Sequence, residues 1–265
     1  MNVRFLAVSV FMVIGCSGCF LAQPLHEKTV NLTVPLVPNQ ALRVVATNGR
    51  IEVTKDLRSD VQITAVVRAR TPERLEATTV AAEQNANGEL SVRALWPDGK
   101  RRSNEGCHYV VLAPDVSSLH LETSNGSVKA LGFSGRARLK TSNGSVTLQN
   151  HEGPVSASTS NGSVSVSGRL QGADLKTSNG KIVASGLSGE VDARTSNGSI
   201  KLRLAREFEG LLDLSTSNGS VNVDSDLESA VVSRTKKRAA TLRIGGQRNE
   251  SKARTSNGSI RVERE

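Results

Sequence analysis

The sequence predicts an all-β protein built as a single-chain β-solenoid of about 18-residue coils, and three observations point there. The phrase Thr-Ser-Asn-Gly begins at Thr123 and returns at Thr141, Thr159, Thr177, Thr195, Thr216 and Thr255. The first five copies start 18 residues apart, the next follows after 21, and the last after 39, which implies one degenerate copy between them; repetition at such a period is the signature of a repeat architecture. Second, counting from each Thr, the residues at positions six and eight (Val146 and Leu148, Val164 and Val166) and at fifteen and seventeen (Val155 and Ala157, Ala173 and Leu175) are apolar. That is strand alternation, with two short strands per repeat sharing one inner face. Third, one corner always reads Asn-Gly, at Asn125-Gly126, Asn143-Gly144, Asn161-Gly162, Asn179-Gly180, Asn197-Gly198, Asn218-Gly219 and Asn257-Gly258. A second corner carries Gly in segments such as Gly132 to Gly135, and both residue types accept the backbone angles of tight corners.

An antiparallel β meander is the alternative, with Asn-Gly as a two-residue hairpin turn. Hairpins tolerate Asp-Gly or Gly-Asn equally, whereas coils stacked about 4.8 Å apart reward repeating one Asn, one Ser and one Thr so that side chains form ladders. An inward Thr column fits the same picture, because its hydroxyls can bond neighbouring coils.

In chain order, residues 1–15 read as an export signal: Arg4, then an apolar run from Phe5 to Ile14 that is too short to span a membrane. Val13-Ile14-Gly15-Cys16 resembles the bacterial lipoprotein box, with Ile14 larger than the residue typical there. The resemblance implies lipidation of Cys16, with Cys19 as the alternative acceptor, and Ser17 implies the outer membrane. Residues 16–27 are then a tether. If Cys16 carries the lipid, Cys19 and Cys107 are free to pair in an oxidising compartment; if Cys19 does, Cys107 is a lone thiol.

Residues 28–118 form an N-terminal β region of degenerate coils and a cap. Val30, Leu32, Val34 and Leu36 alternate in a strand that Pro35 and Pro38 confine to an edge. Thr47-Asn48-Gly49-Arg50-Ile51 is the phrase with one substitution. Val61 to Val67 gives another strand, and Thr71-Pro72-Glu73-Arg74 predicts an N-capped helix of one or two turns. Strands follow near Thr79 to Gln84 and Leu90 to Leu95 around a turn at Asn87-Gly88, with a further turn at Pro97-Asp98-Gly99. Tyr109 to Leu112 and Leu119 to Leu121 lead into the repeat solenoid of residues 119–265. There, Leu204 to Gly210 holds the three-residue insertion, predicted to bulge from a corner with Phe208 near its tip. Val231 to Leu242 is the expected degenerate repeat, leaving the last coil, Thr255 to Val262, to be capped by the charged tail or by a partner.

The phrase blocks from Thr123 to Ile260, with Ala46 to Val53 and the exported start, resemble the bacterial putative-adhesin family of β-strand-repeat domains of unknown function. The resemblance spans about residues 40 to 265 and implies the fold and an exported envelope or adhesion role, with no catalytic residues to carry over.

Composition bounds the chemistry. The net charge is +9, and losing residues 1–15 removes only Arg4, so the basic excess persists. His26, His108, His120 and His151 lack metal spacing, Ser residues lack a nucleophile elbow, and no calcium-repeat motif occurs. No cofactor, metal or enzyme activity is therefore expected, a polysaccharide-active lyase or hydrolase being the least favoured reading. Phe20, Trp96, Tyr109, Phe133 and Phe208 are too few for stacking platforms, which argues against a lectin surface and against nucleic acid. Position eighteen supplies Lys140, Lys176, Arg194 and Arg254, and position sixteen supplies Asp174, Asp192 and Asp213. The basic column is the candidate face for anionic polysaccharide, together with Lys129, Lys201 and Arg261 on the following strands. Envelope proteins are the alternative partners, in a stress or scaffolding role, and the membrane is reached through the lipid.

Overall fold

The inner columns settle how the repeats pack. In the computed structural model, which describes residues 3–5, 25–36, 40–85, 88–235, 237–246 and 249–265, the strand after each phrase lies parallel to its counterpart in the adjacent coil. Tyr109, Ile51, Val128, Val146, Val164, Ile182, Ile200, Ile260 and Val221 stack in that spatial order as one buried column. The strands before each phrase form a second parallel stack whose inner residues include Val92, Val44, Leu121, Leu139, Ala157, Leu175, Ala193, Ala253 and Leu214. The two stacks face each other across one continuous apolar core. The parallel pairing excludes the meander.

The Asn-Gly corner explains why the phrase repeats unchanged. Asn125 donates through its side-chain amide to the Asn48 Oδ1, Asn143 to Asn125, Asn161 to Asn143, and so on through Asn179, Asn197, Asn257 and Asn218, at 2.6–2.9 Å. At the foot of this ladder Asn48 donates to the Glu105 carbonyl. Each phrase Thr is buried and donates its hydroxyl to the Gly carbonyl of the adjacent coil, as Thr159 does to Gly144 at 2.9 Å. The Gly column stacks so closely that a Cβ on Gly162 would lie 2.1 Å from the Gly144 carbonyl oxygen. Only a residue without a side chain fits there. At the second corner, Phe133, His151, Leu170, Leu187 and Leu204 are buried.

Spatial order departs from chain order at both ends. The coil made by Ala41–Val45 and Ile51–Lys55 sits between the coil of Leu90–Leu95 and Gly106–Ala113 and the coil of Ser118–Glu122 and Val128–Leu131. At the other end, Glu250–Asn257 and Ile260–Arg264 insert between the Thr195 and Thr216 coils. The last coil is thus an interior rung, contrary to the expectation that the charged tail or a partner must cap it. The segment expected as a degenerate coil is instead an antiparallel hairpin, Val231–Thr235 with Ala239–Ile244, paired antiparallel to Gly210–Asn218. Its pairing closes the open ladder, and a 3-10 segment, Ser225–Ala230, buries Leu227 over the same end.

At the opposite end, His26–Pro35 lies antiparallel to Asp60–Ala69 as the expected edge strand, beginning two residues inside the predicted tether. The helix runs Pro72–Ala77, with the Thr71 hydroxyl accepting from the Arg74 N–H. Arg74 makes a two-point ion pair with the fully buried Glu105, at 2.7 and 2.9 Å, and so fastens the helix to the loop before Gly106. Thr79–Gln84 and Leu90–Leu95 form the expected hairpin, though Asn87 of its turn lies outside the described residues. Phe208 is buried rather than displayed, because the insertion folds its ring onto the core. Of the export segment only Val3–Phe5 is described, as a strand antiparallel to Thr79–Gln84. Cys16 and Cys19 lie outside the described residues. Cys107 is a buried free thiol, pushed up to about 12 by burial.

Candidate functional site

The exterior of the second strand stack carries the charge-bearing rows. Strand alternation turns positions fourteen, sixteen and eighteen outward, and the parallel register places each beside its counterpart one rung, about 4.8 Å, away. The predicted cationic column is assembled in this way: Lys140, Ser158, Lys176, Arg194 and Arg254 occupy successive rungs. Its charge is largely matched. Lys140 bonds Glu122 at 3.1 Å, Lys176 pairs with Asp174 at 2.9 Å, and Arg194 grips Asp192 through Nε and Nη2 at 2.8 and 2.6 Å. Arg254 lines a shallow depression with Arg194, Ser215 and Ser256. Asp213 accepts a hydrogen bond from Thr241, and Lys252 lies in register between Asp192 and Asp213. These exposed pairs each contribute little to stability, but they relieve repulsion between like charges stacked one rung apart. On the other stack, Glu263 gathers Lys201, Arg203 and Arg261 at 2.6–3.2 Å, and these cations hold its carboxyl below the usual range. Lys129 lies beside Glu52.

A second group of cations lies nearer the N-terminal end. Arg43, His120 and Arg138 occupy one row on consecutive rungs, and Arg136 stands two residues before Arg138 on the same face. Among the described residues, Arg43, Arg136 and Arg138 enter no ion pair. Burial lowers the His120 pKa, with the neighbouring Arg43 and Arg138 acting the same way and Glu122, 3.7 Å away, opposing them. The imidazole is therefore neutral at pH 7, and the local positive charge belongs to the guanidinium groups. Sequence reasoning followed position eighteen and missed this cluster. The visible signal was Arg136-Ala137-Arg138, where position sixteen holds Arg instead of Asp; the contribution of Arg43 depends on where its coil inserts.

Continuing along the row from Arg138, the register runs through Ser156 and Asp174 to Asp192, beside Pro154, Gly172 and Glu190. Small residues on the middle rungs leave a groove of about 300 Å3 with Arg136 and Arg138 at one end and Asp174, Glu190 and Asp192 at the other. Among the described residues, no group of three His, Cys, Asp or Glu side chains stands close enough to hold a metal, and no helix is long and apolar enough to cross a membrane. Tyr109, Phe133 and Phe208 are buried, which withdraws them from any exterior platform. The arrangement offers charge and hydrogen-bonding groups on the outer face of a parallel sheet.

Stacked coils joined by one repeated corner phrase define a β-solenoid-like repeat fold, and the family comparison agrees. The chain belongs to the Toastrack DUF4097 family, whose model matches residues 9–263. Among solved structures it is similar to a putative adhesin from Bacteroides fragilis, at 16% identity and a TM-score of 0.50, covering 89% of this chain and 97% of that one. A putative cell adhesion protein from Clostridium sporogenes aligns at 11% identity with a TM-score of 0.35, over 90% of this chain and all of the other. The Bacteroides likeness speaks for the fold alone. No curated protein matches the chain.

Proposed function

We propose that this protein is a non-enzymatic binding module of the bacterial cell envelope, exported by residues 1–15, anchored to the outer membrane through lipid on Cys16, with Cys19 as the alternative, and holding extended anionic polysaccharide on its outer strand face. The observation that carries the binding reading is the group of unpaired guanidinium groups, Arg43, Arg136 and Arg138, on neighbouring positions of one rigid sheet. The β-ladder fixes the spacing of their backbones, so an extended polyanion can engage several at once. The column Lys140, Lys176, Arg194 and Arg254 serves as a flank, since three of its four charges are already matched.

Retention of residues 20–265 on immobilised anionic and neutral polysaccharides across a salt series tests this. Retention on the anionic polymer should be strong at low salt and fall steeply as the screening length shortens to about 10 Å near 0.1 M. Changing Arg43, Arg136 and Arg138 to Ser should remove most of it, while changing Lys176 and Arg194 should remove less. Equal, salt-insensitive retention on neutral polymer contradicts the electrostatic reading, and no retention on either favours a protein-scaffolding role.

A further inference from the structure

The groove beside Arg138 has two ends of opposite sign, and a plain polyanion satisfies only one of them. Its first rung presents Arg136 and Arg138, its second Pro154 and Ser156, its third Gly172 and Asp174, and its fourth Glu190 and Asp192. From the arginine rung to Asp174 is two rungs, roughly 10 Å, and to Glu190 three, roughly 14 Å. The charges inside the groove are not equally available. Asp192 is held by Arg194 through both oxygens, and Asp174 is shared with Lys176. Glu190 is exposed and, among the described residues, carries no ion pair. The free groups are thus Arg136 and Arg138 at one end and Glu190 at the other, separated by a floor of small side chains.

We infer that this groove binds a polysaccharide carrying both anionic groups and free ammonium groups, with a sulfate, phosphate or carboxylate against Arg136 and Arg138 and an ammonium against Glu190. The inference rests on the anionic-polymer reading above and narrows it. Guanidinium groups suit oxyanions through paired N–H donors. An ammonium, a compact donor, completes the unpaired carboxylate of Glu190 and draws in the neighbouring oxygens of Asp174. The polymer lies across the strands, along the solenoid axis, so that an anionic group and an ammonium roughly 14 Å apart meet the two ends of the groove. Discrimination comes from the acidic end, which repels a chain bearing anions alone and attracts one bearing amines.

A matched pair of probes isolates that end: N-desulfated heparin, which carries sulfates and free amines, and the same preparation after N-acetylation, which keeps the sulfates and loses the ammonium charge. Calorimetric titration of residues 20–265 should give the free-amine form a Kd at least threefold lower at low salt. Glu190→Gln should bring the two forms to parity without weakening the acetylated one. Arg136→Ser with Arg138→Ser should weaken both. Circular dichroism and the melting temperature report whether these surface variants fold, and all three residues are exposed. Equal affinity of the wild type for both forms, or a preference that survives Glu190→Gln, overturns the inference and leaves the polyanion reading standing. Failure of both forms to bind overturns that reading as well.

Discussion

Single side chains in this molecule are selected by what lies one rung away. The phrase Asn is used by its neighbours on both sides, as amide donor to one and carbonyl acceptor for the other, so Asp, which lacks the N–H, would break the chain of bonds. Each such bond contributes about 1 kcal/mol net, and the unbroken run gives the corner its rigidity. His151 is the exception to this satisfaction. It is 1% exposed, and among the described residues neither ring nitrogen meets a hydrogen-bond partner in good geometry. Burial depresses its pKa below the ordinary 6.5, only partly offset by nearby carbonyls and Asp115. In the unfolded chain the imidazole takes up its proton near pH 6.5, before the folded protein does, so stability falls as pH drops through 6.5 and the loss ends below the folded pKa. His151→Leu should therefore be stabilised by about 1–2 kcal/mol at pH 8, and its advantage should widen at pH 5.5 in urea unfolding. An advantage unchanged between the two pH values would show that the folded imidazole takes up its proton as readily as the unfolded one.

At the scale of elements, coils stay interchangeable because their inner volumes compensate. Ala137 with Leu139, Val155 with Ala157, Ala173 with Leu175 and Val191 with Ala193 alternate small and large residues between neighbouring columns, keeping each coil's cross-section close to constant. Interchangeability is also why the terminal insertions were not legible in the sequence. The Thr255 phrase presents the same Thr, Asn and Gly as every other copy, so nothing local tells it to stack between the Thr195 and Thr216 coils. What fixes that order is the hairpin Val231–Thr235 with Ala239–Ile244, which occupies the rung beyond Gly210–Asn218 and leaves the last coil the inner one. Removing residues 250–265 should consequently split the stack. It takes Ala253, Ile260 and Val262 out of the core, at several kcal/mol in sum, lowering the melting temperature by roughly 10 °C or more. Hydrogen exchange should show residues 210–223 losing protection together. Retained protection there would mean that the Thr216 coil packs directly on the Thr195 coil. Period, strand alternation, the Asn-Gly corner, the helix cap and the edge strand were all readable, because each depends on neighbours close in sequence or on strict repetition. The burial of Phe208 was not, since an insertion's length says nothing about which way it folds.

For the molecule as a whole, the solenoid converts sequence period into rows of charge, and its capped ends leave the long faces as the surface available to a polymer. The candidate site was half legible: the cationic column is where the period placed it, but its neutralisation by Glu122, Asp174 and Asp192 requires knowing rotamers and register. Arg43 joins the row of Arg138 as a consequence of interleaving. The measurement that tests the binding account most directly is a residue-resolved map of arginine Nε–H resonances during titration with dextran sulfate at low salt. The account predicts that Arg43, Arg136 and Arg138 shift first and together, with Arg194 held by Asp192 and nearly unmoved. Shifts spread evenly over all arginines, or concentrated on the Asn side-chain amides of the corner, would contradict it.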